Sequence, residues 1–193
     1  MQHNPFQLFA DWFATAQQKS VHDATAMVLA TATSKGVPSA RVVLLKNFDE
    51  RGFVFYTNLM SRKAQELTAN PNAALCFYWP IMDQQIRVEG KVEAVTPEEA
   101  DRYFATRPRE SQIGAWASKQ SQPLTDSKDL QERVEAISQR FAENAISRPY
   151  FWSGFRLIPH TMEFWQQGPH RLHQRTCYNK QTDASWKVEF LYP

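Results

Sequence analysis

Four short stretches of the sequence place cationic side chains beside hydroxyl groups or aromatic rings. They are residues 41–46, 61–63, 103–111 and 171–175. Guanidinium and ammonium groups hold phosphate through charge-assisted hydrogen bonds, and aromatic rings stack on flat ligands. The sequence therefore predicts binding sites for a phosphorylated ligand that carries a planar ring.

The stretch 103–111 combines a phenol, a guanidinium and a hydroxyl group. Tyr103 and Arg107 are four residues apart, which puts them on one face of a helix. Pro108 interrupts that helix among its charges, so Ser111 lies where the next helix starts. Together these three side chains can hold one phosphate group.

The first two stretches have a functional and a purely structural interpretation. Strand alternation puts Arg41 and Lys46 on opposite faces, so the two cations need not share a partner, and an edge strand with solvated ends explains them equally well. Arg62 and Lys63 fall at the start of a predicted helix, where backbone N–H groups already attract anions. Cations at that position indicate either a bound phosphate or a solvated first turn.

The fourth stretch follows the aromatic run that ends at Trp165. Arg171, His173 and Arg175 alternate along what we expect to be the entry to a strand, so all three project to one side. Three potential cations on one face repel each other unless an anionic or electron-rich group lies against them. A lone histidine is usually structural, but a histidine between two arginines on one face favours a site.

Composition excludes several classes of function. The chain has 193 residues, with 22 Lys and Arg against 20 Asp and Glu, and this net charge of +2 argues against nucleic-acid binding through bulk charge. Six glycines and no glycine-rich phosphate motif mean that a phosphate must be held by side chains. Cys76 and Cys177 lack the spaced partners of a zinc site, so we expect free thiols and no metal.

Neither a membrane span nor a signal peptide is indicated. No apolar run approaches the ~18 to 20 residues that cross a bilayer, and the first residues lack a basic segment followed by an apolar one. We therefore expect a cytoplasmic protein without membrane or nucleic-acid partners.

Apolar periodicity predicts the elements that position these stretches. An aromatic stripe predicts a helix over 5–18 whose rings belong to the core. Further helices are expected over 61–66, from 97 to about 106, from near Ser111, and from Ser127 along an apolar stripe that ends at Phe141. Strands are expected over 26–33, 39–46, 52–58, 72–79, 84–95, 150–158, 162–166, 174–179 and 186–191.

The order of these elements indicates the fold class. Strands dominate both ends, a helical insertion fills about 97–143, and no βαβ alternation occurs. This order predicts an α+β fold, mainly antiparallel β, with a barrel or a strongly curved sheet rather than a Rossmann fold. We expect residues 1–193 to form one domain.

With these stretches in hand, the chain resembles the pyridoxine/pyridoxamine 5′-phosphate oxidase family, the FMN-dependent oxidases of vitamin B6 metabolism. The resemblance extends from Pro5 to Pro193. The motifs that carry it, in order, are RVVLLK at 41–46, FYTN at 55–58, SRKA at 61–64, RPRESQIGAWAS and KQS within 107–121, EFWQ at 163–166, and RLH at 171–173 with Arg175.

The resemblance implies an FMN-binding split β-barrel that works as a homodimer, with two active sites at the subunit interface. The residues implied for the flavin are Arg41, Val42, Val43, Leu44, Tyr56, Thr57, Arg62, Lys63, Gln85, Gln120, Ser121, Trp165 and Arg175. The residues implied for the substrate are Lys46, Tyr103, Arg107, Ser111, Arg171, Leu172 and His173.

The reaction implied by the resemblance is oxidation of pyridoxamine 5′-phosphate and pyridoxine 5′-phosphate to pyridoxal 5′-phosphate. The C4′ carbon of the substrate gives a hydride to flavin N5, and O2 reoxidises the flavin to yield H2O2. The protein's share is stacking, orientation and charge placement. The family's catalytic pair maps to Arg171, over the reacting carbon, and His173, which assists orientation or proton movement.

Two departures from the family pattern leave alternatives open. Gln174 stands where the family has an acidic residue, and Phe190 replaces an arginine near the C-terminus. One alternative is a flavin oxidase of the same fold that acts on another ring, as in phenazine biosynthesis; such relatives are expected to lose the phosphate-binding set that begins at Lys46. The other is a non-catalytic protein that binds flavin or pyridoxal phosphate.

Overall fold

An antiparallel sheet of nine strands organises the fold, in a computed structural model that describes residues 4–19 and 23–193. The strands are β1 Ala26–Ala32, β2 Pro38–Leu44, β3 Asn47–Asp49, β4 Gly52–Asn58, β5 Asn72–Trp79, β6 Gln84–Ala94, β7 Trp152–Gln166, β8 Gln174–Lys180 and β9 Trp186–Phe190. The helices are α1 Pro5–Lys19, α2 Arg62–Ala69, α3 Pro97–Ala105, α4 Arg109–Ala117 and α5 Ser127–Phe141.

The strand order is β2-β1-β5-β6-β7-β4-β3, and β8 and β9 continue from the second half of β7. Every pairing is antiparallel. All helices of the middle segment, α3 to α5, fall between β6 and β7 in the chain. The predicted α+β class with a mainly antiparallel sheet is confirmed.

One face of the sheet packs on α1, and the other is here called the outer face. On β6, Ile86 and Val88 are fully buried, while Gln85 and Arg87, which alternate with them, point to the outer face, as predicted. Phe9 of α1 lies with its ring centroid 4.9 Å from that of Phe53, at an interplanar angle of 82°. The aromatic stripe of α1 therefore belongs to the core, as expected.

The two strands expected over 150–158 and 162–166 are one continuous strand, β7. The break expected between them, at residues 159–161, does not occur. The register between β6 and β7 shifts at Gly90, which pairs with Pro159, so a β-bulge absorbs the proline and the strand continues. A Cβ on Gly90 would lie 2.0 Å from the carbonyl oxygen of Ile158, so only glycine allows this approach.

The helices lie close to their predicted positions, with one difference in a boundary and one in burial. Helix α4 starts at Arg109, directly after Pro108, rather than near Ser111. The apolar stripe of α5 is only partly covered: Ile137 packs against a core cluster around Phe104, whereas the Val134 side chain is 38% exposed.

The sequence did not indicate strand β3 or the two 3₁₀ turns, Pro80–Met82 and Pro169–Arg171. The second turn changes the geometry of a candidate site. Strand β8 starts only at Gln174, so the expected alternation of Arg171, His173 and Arg175 along one strand is wrong. Backbone φ angles of 55° at His170 and 63° at Arg171 place both residues in the left-handed region, which no strand allows.

A buried arginine fastens α3 to the sheet. The Arg156 side chain on β7 is 4% exposed, and its Nη2 donates to both carboxylate oxygens of Glu99 at 2.9 Å. Its Nη1 donates to Asp49 at 3.4 Å. Because α3 also carries Tyr103, this clamp sets where that phenol lies.

Replacing Glu99 by Gln should destabilise the protein, because the buried Arg156 would lose its bidentate carboxylate partner. We expect the free energy of unfolding, measured by urea titration, to fall by about 3 kcal/mol. The control is Glu98→Gln, an exposed substitution in the same helix turn, which should have little effect. A fall for Glu99→Gln no larger than that of the control would contradict the clamp.

Candidate functional site

A cavity of about 490 Å³ opens beside β2 and β4 and is closed by α2 and α4. We call it the cationic cavity. Its described lining residues are Arg41, Val42, Val43, Leu44, Lys46, Tyr56, Thr57, Asn58, Lys63, Tyr103, Arg107, Ser111, Gly114, Ala115, Ser118, Gln120 and Trp152.

The charge of this cavity has one sign. Among its described lining residues, Arg41, Lys46, Lys63 and Arg107 are cationic and none is acidic. Clustered cations without a carboxylate repel each other and attract anions. Arg41 and Lys46 line the same cavity although strand alternation would put them on opposite faces. Strand β2 ends at Leu44, and the Lys46 N–H donates to the carbonyl oxygen of Val54 on β4.

Arg107 provides the sharpest indication of a missing partner. Its guanidinium lies 4.8 Å from the centroid of the Trp152 ring, and its Nη1 is buried with no hydrogen-bond partner among the described residues. Burial lowers the pKa of this guanidinium. A buried charged donor without an acceptor is costly, so the arrangement fits an anion bound against Arg107. Tyr103 and Ser111 line the same cavity, as expected, but Arg107 lies beyond the end of α3 at Ala105, so the prediction that it shares a helix face with Tyr103 was wrong.

Three aromatic rings form one wall of the cavity. Tyr56 stacks on Tyr103 with centroids 4.1 Å apart and on Trp152 with centroids 5.2 Å apart. Burial, together with the nearby Glu99, raises the pKa of Tyr56 to about 12, so its hydroxyl stays protonated at neutral pH. A Cβ on Gly154, the residue opposite Tyr56 on β7, would lie 2.7 Å from the Tyr56 ring, so this glycine lets the ring lie flat on the sheet.

Lys63 reaches the cavity from the first turn of α2. Its Nζ donates to Thr57 Oγ1 at 3.1 Å and to Gln120 Oε1 at 3.0 Å. Burial and the neighbouring Arg41 lower the pKa of the Lys63 ammonium group. The adjacent Arg62 does not line the cavity, since its side chain is 61% exposed and its Nε donates to Glu66 at 2.8 Å.

A buried carboxylate behind the cavity holds Arg41. Glu66 is 6% exposed and accepts hydrogen bonds from Thr31, from Ser39 at 2.6 Å and from Arg41 Nη2 at 3.4 Å. Burial alone would raise the pKa of Glu66, but the hydrogen bonds from Ser39, Thr31 and Arg62 lower it to about 2. Glu66 is therefore charged, and it compensates the cations from outside the cavity.

The remaining candidates, apart from Arg62 and Ser121, lie on the outer face or in the turn before β8. Gln85, Trp165 and Arg175 form one row across β6, β7 and β8. Arg175 Nε donates to the buried Glu163 at 2.7 Å, and the His173 ring lies 4.7 Å from the Trp165 ring. We call Gln85, Trp165 and Arg175, together with the turn residues Arg171, Leu172 and His173, the outer group. None of the outer group lines the cationic cavity.

The structure thus places most of the sequence-derived candidates either in the cationic cavity or in the outer group, and Arg62 and Ser121 in neither. The cationic cavity gathers Arg41, Val42, Val43, Leu44, Lys46, Tyr56, Thr57, Lys63, Tyr103, Arg107, Ser111 and Gln120. Ser121 lines a neighbouring cavity of about 700 Å³ whose walls carry both acids and bases. That mixture of charge makes the neighbouring cavity a poorer anion site.

Sequence reasoning missed Trp152, Asn58 and Ser118 in the cavity wall and Glu66 behind it. Trp152 stands at the start of a strand, and its contacts with Tyr56 and Arg107 join elements far apart in the chain. No local spacing signals such a contact. Within the described residues, no helix is long and apolar enough for a membrane span, and no cluster of three His, Cys, Asp or Glu side chains suits a metal ion.

The outer face is also unusually apolar where it approaches the cavity. Val42, Val28, Leu44 and Tyr78 are 65%, 40%, 37% and 59% exposed. Val42 and Leu44 line the cavity as well, so the cavity opens onto this face. Exposed apolar patches of this kind mark interaction surfaces.

Comparison with known proteins places most of the chain in one family. Residues 13–141 match the family described as pyridoxamine 5′-phosphate oxidase, and residues 152–193 match the pyridoxine 5′-phosphate oxidase C-terminal dimerisation region. A Myxococcus xanthus (strain DK1622) protein named pyridoxine/pyridoxamine 5′-phosphate oxidase is 53% identical over 190 residues, which cover 98% of this chain and 92% of that protein. A Gluconobacter oxydans (strain 621H) protein of the same name is 51% identical, with 98% and 94% covered.

Solved structures confirm the split-barrel prediction. PhzG from Burkholderia lata 383, in complex with tetrahydrophenazine-1-carboxylic acid, superposes with a TM-score of 0.94 at 35% identity, over 99% of this chain and 93% of that chain. A pyridoxamine 5′-phosphate oxidase-related, FMN-binding protein from Nostoc punctiforme has a TM-score of 0.79 at 17% identity, over 100% of both chains. The second likeness shows the fold alone.

The low pKa of Glu66 predicts a pH-dependent stability. A carboxylate whose pKa falls from 4.5 to about 2 on folding contributes stability that is present above pH 4.5 and lost as the pH falls through about 2. Glu66→Gln should therefore lower the free energy of unfolding by about 2 kcal/mol at pH 7, and the gap to wild type should shrink between pH 4.5 and pH 2. Urea titrations across this range measure the gap. A gap independent of pH would contradict the charge of Glu66.

Proposed function

Since this chain belongs to the pyridoxamine 5′-phosphate oxidase family, we propose that it is an FMN-dependent oxidase that converts pyridoxamine and pyridoxine 5′-phosphates to pyridoxal 5′-phosphate. The observation that carries the proposal is the buried, unpartnered Nη1 of Arg107 in a cavity lined by four cations and, among its described residues, no acid. A phosphorylated ring satisfies that nitrogen, and the aromatic wall of the cavity suits the ring.

The substrate phosphate is assigned to Lys46, Tyr103, Arg107 and Ser111. Their side chains supply two cations and two hydroxyl donors, the set that a phosphate dianion accepts from. The stack of Tyr103 on Tyr56 and the clamp of Arg156 on Glu99 support these positions, because they fix the helix that carries Tyr103.

FMN is assigned to the part of the cavity around Lys63. Arg41, Thr57, Lys63 and Gln120 offer its phosphate cations and polar groups, with Tyr56 and the β2 residues Val42, Val43 and Leu44 beside them. FMN, when bound, supplies a ring that takes a hydride from the substrate carbon and passes the electrons to O2, giving H2O2. Arg62 could contact the FMN phosphate only after its ion pair with Glu66 breaks. Ser121 lines the neighbouring cavity, so it could contact FMN only at the edge of the cationic cavity.

We assign the complete site to a homodimer. On β7, the strand that reaches both places, Trp165 lies eleven residues along the chain from Gly154, the residue paired with Tyr56 of the cavity, and none of the outer group lines the cavity of the same chain. A second copy packed on the apolar outer face would bring its Gln85, Trp165 and Arg175 to the cavity. The match to a dimerisation region over 152–193 supports this arrangement.

In this dimer, the partner copy would also supply the catalytic pair. Arg171 would lie over the reacting carbon of the substrate, and His173 would assist the orientation of the substrate or help to move a proton. Neither side chain needs to be a nucleophile, since the cofactor carries the redox step. The proposal places the enzyme in the cytoplasm.

A phenazine-type oxidase is the second candidate, favoured by the superposition with PhzG at 35% identity. An unphosphorylated ring would leave Arg107 Nη1 without an acceptor, which counts against this candidate. The non-catalytic alternative rests on Gln174 and Phe190. In the structure Phe190 is 68% exposed and Gln174 pairs in register with Gln166, so neither departure disturbs the cavity.

Anaerobic reduction of the flavin tests the proposed function directly. Protein loaded with FMN and mixed with pyridoxamine 5′-phosphate without O2 should lose its visible flavin absorbance, and admitting O2 should restore it with formation of H2O2. Pyridoxamine without phosphate is the matched control and should react far more slowly. Protein that binds no FMN, or flavin that stays oxidised, would overturn the proposal; equal reduction by both substrates would favour the phenazine-type alternative.

Arg107→Ala should raise KM for pyridoxamine 5′-phosphate about 10- to 100-fold and change kcat much less, because a charged hydrogen bond to phosphate is lost in ground state and transition state alike. Steady-state kinetics measure both constants. Arg102→Ala, which removes an exposed arginine on α3, is the control and should leave KM near wild type. An unchanged KM in Arg107→Ala would contradict the phosphate assignment.

A further inference from the structure

The segment that carries the outer-group residues Arg171, Leu172 and His173 has an unusual backbone. Between the end of β7 and the start of β8, the chain makes a 3₁₀ turn over Pro169–Arg171. His170 and Arg171 both have positive φ angles, of 55° and 63°, although neither is glycine. Consecutive left-handed residues cost free energy, so other contacts must hold the turn in this shape.

Gly168 allows the two ends of the turn to meet. A Cβ at this position would lie 2.1 Å from the carbonyl oxygen of Leu172, so any other residue would push the ends apart. The close approach brings the Gly168 N–H to the ring of His173. The N–H donates to His173 Nδ1 at 3.3 Å.

This hydrogen bond determines which ring nitrogen carries the proton. A neutral imidazole has one N–H and one acceptor nitrogen, and the acceptor here is Nδ1 because a backbone amide can only donate. The proton therefore sits on Nε2. The His173 ring also packs against the Trp165 ring, with ring centroids 4.7 Å apart and an interplanar angle of 43°, and this contact limits rotation of the imidazole.

We propose that Gly168 holds His173 as the Nε2–H tautomer, so that His173 presents a hydrogen-bond donor, not a base, to an oxygen acceptor of the ring ligand. The proposal rests on the function proposed above for its placement of His173 at the substrate. It gives Gly168 the role of a positioning residue, acting through His173. Of the two roles given above for His173, orientation of the ligand and movement of a proton, it selects the first: His173 orients the ligand by donating a hydrogen bond.

The tautomer can be read directly by NMR of the FMN-loaded protein labelled with ¹⁵N, in mildly alkaline buffer that keeps imidazoles neutral. His173 should show an acceptor-type, pyridine-like Nδ1 and a protonated, pyrrole-like Nε2. Loss of the signals in His173→Asn assigns them. A protonated Nδ1, or an equal mixture of both tautomers, would overturn the proposal whether or not the enzyme is active.

Two substitutions separate donation at Nε2 from a merely structural role. The amide of Gln reaches the position of Nε2 and donates there, whereas the amide of Asn is shorter and reaches only the position of Nδ1. We expect His173→Gln to keep kcat/KM at least about tenfold above that of His173→Asn, with both variants folded by circular dichroism. Asn equal to or better than Gln would overturn donation at Nε2. Failure of the proposed function would appear differently, as wild-type protein that does not turn over pyridoxamine 5′-phosphate.

Discussion

Positive charge without an acidic neighbour inside the cationic cavity is the constraint on which the rest of the site depends. Four cations line the cavity, no acid is among its described lining residues, and one guanidinium nitrogen of Arg107 is buried without an acceptor. Such a group is tolerated only when a ligand completes it. The surrounding elements serve to hold these cations apart and correctly aimed until an anion arrives.

The carboxylates that offset this charge lie behind the cavity. Glu66 of α2 joins Arg41 to Arg62, and Glu99 holds Arg156 where α3 meets β7. Neither acid lines the cationic cavity, so each positions a wall of the cavity without offering a negative charge inside it. Stability and binding thus use separate ion pairs, and the cavity keeps its single sign of charge.

Much of this arrangement was predictable from the sequence, because local signals specify it. Period-two alternation located β6, and the nearness in sequence of Tyr103, Arg107 and Ser111 predicted their common cavity, although α3 ends before Arg107. Contacts between distant elements were not predictable. Trp152 under Arg107 and Glu66 behind Arg41 follow from tertiary packing, and the bulge at Pro159 and the left-handed turn at Arg171 contradict what their local sequence favours.

The division of candidate residues between the cavity and the outer group requires a site composed of two copies of the chain, and subunit complementation distinguishes such a site from one formed within a single chain. Arg107→Ala and Arg171→Ala damage opposite halves. Assayed at pyridoxamine 5′-phosphate concentrations far below the raised KM of Arg107→Ala, each should be nearly inactive alone. After unfolding and refolding together, mixed dimers would hold one site with both changes and one intact site, so we expect activity to recover to about a quarter of wild type. No recovery, with mixed dimers shown to form, would contradict a site built from two copies.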